Sequence, residues 1–428
     1  MDNIKDPRIE CLRNIIQEYI NAISCIGDSF SEINGILVKK HIDSRNNMFR
    51  FLLSLGTISD ENDLISKLES KPSYSKEFHN LDKNIERSRQ AVNILPQSMF
   101  ISIVSQFDVL TAQLIRFIYL SFENKLLEIE GQIQYRDVFK IGDIEKIKEK
   151  LISDKIDSIL RNKHSEQIRF IGGLIGVTLD KSDLWCDFIE MTQRRNLFVH
   201  CKGVVSSQYI DECRKEKCKI DGSLLGKTLN VDKDYFSLSF FVFYCIGVMT
   251  SQIILRKLLG KDNTLLEQID TILNNIIYEA ICEKKYDIAI KLSEFALNPI
   301  IKHANRQDEK FFVLNYAQAY KWIGDKEKCM EILKNHDFSE SKEDILVAKY
   351  ALEDDINNVI KSMKSLGDTS EIMNDVAYST WEIFKEMREK DVFKNTFEEI
   401  FKKPLLDPDI SIIGEQTKEI LDGVNQLK

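Results

Sequence analysis

A chain of 428 residues, 43% hydrophobic and 30% charged, has the composition of an ordinary globular protein and room for two or three domains. Its net charge of −9 excludes a surface that coats nucleic acid through clustered Lys and Arg, so any RNA has to be gripped locally. Nine scattered cysteines, mostly inside apolar helical stretches, exclude a disulfide framework and predict reduced thiols in a cytoplasmic protein.

With only 17 Gly and 6 Pro and few alternating runs, the fold class is all-α. The start, Met1 to Asp6, lacks the apolar core of a secretory signal. Residues 1–90 read as an N-terminal helical region: Arg8 to about Ile36, Arg50 to Leu55 and Glu61 to Leu68, with a loop at Lys71-Pro72-Ser73-Tyr74-Ser75. Phe100, Ile103, Phe107, Leu110, Leu114 and Ile118 recur at helical spacing and predict the buried face of a long helix from Phe100 to Leu120. Gly172-Gly173-Leu174-Ile175-Gly176 lacks the Lys-Ser/Thr of a phosphate-binding loop and reads as packing or a turn.

Leu184, Phe188, Met191, Arg195 and Phe198/Val199 then set a guanidinium into the apolar stripe of an amphipathic helix. A charge there needs a partner or a task. Gln193, Asn196 and His200 make a polar seam beside it. Arg195 and His200, five apart, diverge by about 140° around a regular helix. They meet only if the helix ends near His200 or if a second copy of the chain supplies one of them. Gly203 predicts that end.

Farther on, Cys213 to Tyr235 is polar and turn-rich, and Asp221-Gly222 predicts a small hairpin insertion. Leu238 to Leu255 is almost uncharged, yet its length and its Ser239, Thr250, Ser251 and Gln252 favour a buried helix over a membrane span. Gly260 to Thr264 marks a boundary, with Asn263 or Thr264 capping the next helix. Beyond 265 the pattern is of paired helices. Tyr286-Asp287-Ile288-Ala289 with Ala296 to Pro299, then Ala317, Tyr320, Gly324 and Cys329, and a weaker copy at Ala348, Ala351 and Ile360, space small residues as helix hairpins do.

The run from Arg194 to Gly203, with Trp185 and Phe188 before it and Val204-Val205 and Tyr209-Ile210 after it, resembles the signature of HEPN domains, helical modules many of which are metal-independent ribonucleases. The resemblance extends over residues 91–260, where Phe100 to Leu120 is similar to the first long core helix of that family. The paired helices at 265–400 resemble degenerate tetratricopeptide (TPR) repeats, leaving 401–428 as a tail or capping helix. The expected architecture is thus a HEPN-like bundle with a small hairpin insertion, followed by a TPR-like helical-repeat domain. The resemblance implies an endoribonuclease that leaves a 2′,3′-cyclic phosphate and a 5′-hydroxyl, serving antiviral defence or acting as a toxin.

The side chains suit that chemistry. Cutting RNA without a metal requires deprotonating a 2′-hydroxyl, stabilising a phosphorane and protonating the leaving 5′-oxygen. His200 titrates in the right range for proton transfer, and Arg195 offers a permanently charged fork of donors. Asn196 can bond a phosphate oxygen or hold the imidazole in one tautomer. Supporting roles are open to Asp108, which can orient Arg195, to Lys202 as a phosphate contact, and to Arg194, which is expected on the solvated side or against flanking RNA. Arg195 has bland alternatives in pairing with Glu190 or Asp187.

No metal and no cofactor are expected. Cys201, Cys213, Cys218 and His200 lie close in sequence but lack zinc-ligand spacing. The expected partners are an RNA substrate, a second copy of the chain in a homodimer, and a regulatory protein or phage trigger on the C-terminal helices, with no membrane. The alternative is a catalytically inactive HEPN scaffold that dimerises and displays the repeats.

Overall fold

The computed structural model describes residues 6–129 and 135–405, and among them the only regular secondary structure is helical. The described residues fall into two compact units that divide between Ile254 and Leu255.

The first unit opens with α1 (Pro7–Ser54), capped by the Asp6 side chain on the Arg8 N–H with Pro7 in the first turn. After α2 (Glu61–Glu69) comes α3 (Pro72–Ser121), against which α1 packs. Two expectations change here. The helices at Arg8–Ile36 and Arg50–Leu55 are one, because the polar stretch between them lies on α3 and His41 Nδ1 sits 2.9 Å from Ser88 Oγ. The expected loop at Lys71–Ser75 is the first turn of α3, since Pro72 suits a helix start, and α3 continues unbroken through residue 90.

Short helices α4 (Glu123–Leu126) and α5 (Tyr135–Ile141) lead to α6 (Ile144–Leu160), α7 (His164–Ile175), α8 (Trp185–His200) and α9 (Ser207–Lys215). The glycine run ends α7: Gly176 adopts a left-handed φ of 72°, and a Cβ on Gly172 would lie 2.6 Å from the Val177 carbonyl. The long α10 (Lys233–Leu259) follows, its last five residues lying past the division at Ile254. Its most apolar window is 78% buried inside the protein; α3 also has the length and apolarity to cross a membrane, with 44% of its window buried.

Aromatic rings knit these helices together. Phe107 of α3 meets Tyr19 of α1, Phe188 of α8 and Phe243 of α10 at centroid separations of 6.4, 5.1 and 5.5 Å, in edge-on geometry. Phe100 meets Phe198 at 5.9 Å, so α3 and α8 run antiparallel. All six residues of the predicted α3 stripe are buried.

The expected hairpin within Cys213–Tyr235 does not form. Asp221 caps a 3-10 turn at Gly222–Leu224, and the segment pairs instead with the chain leaving α8: Val205 N–H donates to Lys227 O (2.9 Å) and Leu229 N–H to Gly203 O (2.9 Å).

In the second unit α11 (Asn263–Cys282) is capped by Asp262, one residue before the expected caps. It is followed by α12 (Tyr286–Ala296), α13 (Arg306–Trp322), α14 (Lys326–Asn335), α15 (Glu343–Leu352) and α16 (Ile356–Leu366). Three hairpins share one turn. A left-handed residue, Lys284, Gly324 or Asp354, is followed by an N–H that reaches back five residues: Lys285 to Ala280 O, Asp325 to Tyr320 O and Asp355 to Tyr350 O, at 2.8, 3.0 and 3.0 Å. Five residues after each left-handed position stands a buried side chain: Ala289, Cys329 and Val359. The third copy is therefore anchored by Val359, and the sequence register that selected Ile360 is one residue out. Short α17 (Asp375–Thr380) and α18 (Lys385–Arg388) and a final α19 (Asp391–Phe401) pack on the same apolar core. Most of the expected tail at 401–428 lies outside the described residues.

Candidate active site

The regular geometry of an α-helix explains where α8 puts its side chains. Arg195 lies seven residues after Phe188, so it extends the buried stripe by two turns. Where the stripe meets α3, Asp108 follows the core residue Phe107 and is rotated about 100° away from it. The Arg195 Nη2 lies 3.6 Å from Asp108 Oδ2, with each side chain 26% exposed. Its Nη1 donates to Asn196 Oδ1 at 3.2 Å, and its Nε is buried with no hydrogen-bond partner among the described residues. The guanidinium is held on one side and has donors to spare.

Asp108 has a second cation-capable neighbour that sequence reasoning missed. His164, the buried first residue of α7, places Nε2 2.9 Å from Asp108 Oδ1, a contact that is an ion pair when the imidazole is protonated and is not a hydrogen bond. Asp108 thus ties α7 and α8 to α3. His164 sits outside any motif, and no spacing in the sequence links it to Asp108 or Arg195.

His200 occupies the last turn of α8 and is exposed, and no described residue hydrogen-bonds to its imidazole. Five residues apart on one helix, Arg195 and His200 are rotated about 140° from one another. Asn196, expected to serve phosphate or imidazole, spends its carbonyl oxygen on Arg195.

Beyond His200 the chain turns sharply. Lys202 (φ 51°) and Gly203 (φ 80°) are both left-handed, and the N–H groups of Cys201 and Gly203 both donate to Leu197 O, at 2.8 and 3.0 Å. A Cβ on Gly203 would lie 2.9 Å from the Leu229 carbonyl, so only glycine fits. This turn leaves Lys202 exposed beside the helix end.

Arg194 is not on the solvated side. Its Nε pairs with Glu190 Oε1 at 2.7 Å and its guanidinium stacks 3.7 Å over the Tyr235 ring. Glu190 also accepts the Tyr209 and Tyr235 hydroxyls, at 2.5 and 2.8 Å. Burial and the Glu190 charge push both phenols above their ordinary range. This network fastens α8 to α9 and α10, and it takes Glu190 away from Arg195. The i, i+4 spacing of Glu190 and Arg194 was the available signal.

The cysteines do not converge on the motif. Cys201 is exposed, whereas Cys213 and Cys218 are buried, and burial pushes the Cys213 thiol up to about 12. Among the described residues no three His, Cys, Asp or Glu side chains are placed to hold one metal ion. No family model, curated protein or solved structure matches this chain.

Proposed function

We propose that this chain is a HEPN-type, metal-independent endoribonuclease of the cytoplasm, with Arg195 and His200 as its catalytic residues. The observation that carries the reading is Arg195, an arginine on a core-facing stripe, braced by Asp108 and Asn196 with donors left over for a phosphate. A guanidinium fixed in that way can neutralise the extra charge of a phosphorane without reorganising. His200, exposed on the last helical turn, is free to accept the 2′-hydroxyl proton or to protonate the leaving 5′-oxygen. Lys202 beside it serves as a phosphate contact.

Because one α8 points Arg195 and His200 apart, the working site is composite: two copies join their α8 ends in a homodimer, each supplying acid–base groups to a shared phosphate. The three like-turned hairpins of 263–366 are read as degenerate TPR-like repeats that hold a regulatory protein or phage trigger, as befits a nuclease used in antiviral defence or as a toxin.

Incubating the purified protein with total RNA in the presence and absence of EDTA tests the reading. Cleavage is expected to survive chelation, and Arg195→Ala and His200→Ala are each expected to abolish it while melting as the parent does. Unchanged cleavage by the folded variants overturns the assignment. Sedimentation at micromolar concentration is expected to give a dimer, and a monomer that still cuts RNA removes the composite site.

A further inference from the structure

The hairpin unit contains a groove of two adjoining chambers, of about 320 and 230 Å³, which share Asn274, Phe311 and Trp381. Three features of it point to an occupant.

The first is an uncompensated carboxylate. Asp308 lines the larger chamber and makes no ion pair among the described residues: its carboxylate meets Asn305 Nδ2 at 2.8 Å, and His303, already engaged with Asp270, acts on it only through its charge. The nearby Asp270 cannot share a cation with it. Its oxygens are already taken by Arg256 Nη2 (2.7 Å), His303 Nδ1 (2.9 Å) and the Ala304 N–H (2.9 Å). Burial and the charges of Asp270 and Glu267 hold the Asp308 carboxyl up at about 6, which a bound cation would relieve.

The second is aromatic walling. Phe311 and Trp381 stand at the junction of the chambers, where they can cover the methylene stem and charged head of a basic side chain.

The third is an amide pair. Asn315 Nδ2 donates to Asn274 Oδ1 at 2.9 Å, and no other described hydrogen bond involves the two side chains. Asn315 is only 8% exposed and lines the smaller chamber, and its carbonyl oxygen, which no described donor reaches, is an acceptor open to that chamber. With the Nδ2 of Asn274 it offers one acceptor and one donor side by side, the complement of a peptide unit.

We propose that this groove binds an extended peptide segment of another protein, seating one lysine or arginine side chain on Asp308 and the adjoining peptide unit on the Asn274–Asn315 pair. A free amine or polyamine would satisfy the carboxylate but leave the amide pair and the second chamber unused. This deepens the reading of the hairpins as the partner-binding region and is independent of any ribonuclease chemistry.

The test uses the full-length protein on an array of short immobilised peptides whose central residue is Lys or Arg, Ala, or Glu in otherwise matched sequences. Retention is expected on the basic-centred peptides only. Asp308→Asn is expected to weaken it about tenfold, the scale of one desolvated charge pair. Asn275→Phe, at an exposed lining position, is expected to block the smaller chamber and abolish retention, and it covers the case in which Asp308→Asn disturbs the start of α13. Equal retention of Glu-centred peptides, or wild-type retention by both variants, overturns the proposal. So does Asp308-dependent binding of spermine with no peptide retained. RNA cleavage is measured separately, so a loss of either reading is visible without the other.

Discussion

Replacing Asp108 by Asn tests its support of Arg195, and the double-mutant cycle with Arg195→Ala isolates that support from the contact Asp108 also makes with His164. The substitution keeps the shape and removes the charge facing Arg195 Nη2 at 3.6 Å. At an effective dielectric near 20, two unit charges at that distance attract by roughly 4 to 5 kcal/mol. With both side chains about a quarter exposed, desolvation and screening reduce the net contribution to about 1–2 kcal/mol. Urea unfolding of Asp108→Asn should therefore show a loss of that size. A double-mutant cycle with Arg195→Ala should show the losses to be non-additive by more than about 0.5 kcal/mol. If Arg195 stabilises the phosphorane, the same change lowers kcat by roughly ten- to thirtyfold with little effect on KM, since positioning is lost and substrate contacts are not. Additive stability effects would refute the pairing. A coupled pair with wild-type kcat would refute the role of Asp108 in positioning.

Two further outcomes follow from packing and charge. At Gly247→Ala the new methyl collides with the buried ring of Tyr19, whose hydroxyl donates to Phe243 O at 2.7 Å; unfolding should show a loss of about 2–4 kcal/mol from overpacking plus the strained hydrogen bond. The Asp308 carboxyl, held at about 6 against about 4 in an unfolded chain, keeps its proton longer in the folded state, so its contribution is complete below pH 4 and is lost as the pH rises through 6. Asp308→Asn lacks that loss, and its stability relative to the parent should rise by about 1 kcal/mol between pH 4 and 7 after allowing for solvent screening; a flat difference would contradict the raised value.

What could be read from the chain was what repeats over short distances. The α3 stripe and the end of α8 at Gly203 obey helical periodicity and turn chemistry, and both need only neighbouring residues to be legible. The hairpins of the second unit were legible through Ala289, Ala296, Ala317 and Ala351, all fully buried, because close helix approach demands small side chains. Their common turn was not. Only Gly324 carries the residue type that advertises a left-handed φ; Lys284 and Asp354 adopt it without glycine, and with no marker in the third turn the register slipped from Val359 to Ile360.

The site divides along the same line. Arg194 and Arg195 are adjacent in sequence but about 100° apart on the helix, and that rotation sends one to Tyr235 and the other to Asp108. Glu190 is one turn before Arg194, so the i, i+4 rule assigns it there and leaves Arg195 to find its counter-charge on another helix. Nothing local identifies that helix, and His164 reaches the same carboxylate from a third. Asp108 is thus the residue through which the motif arginine depends on the whole bundle. A change in how α7 packs on α3 would reach Arg195 by moving His164 and Asp108, without touching any residue of the motif.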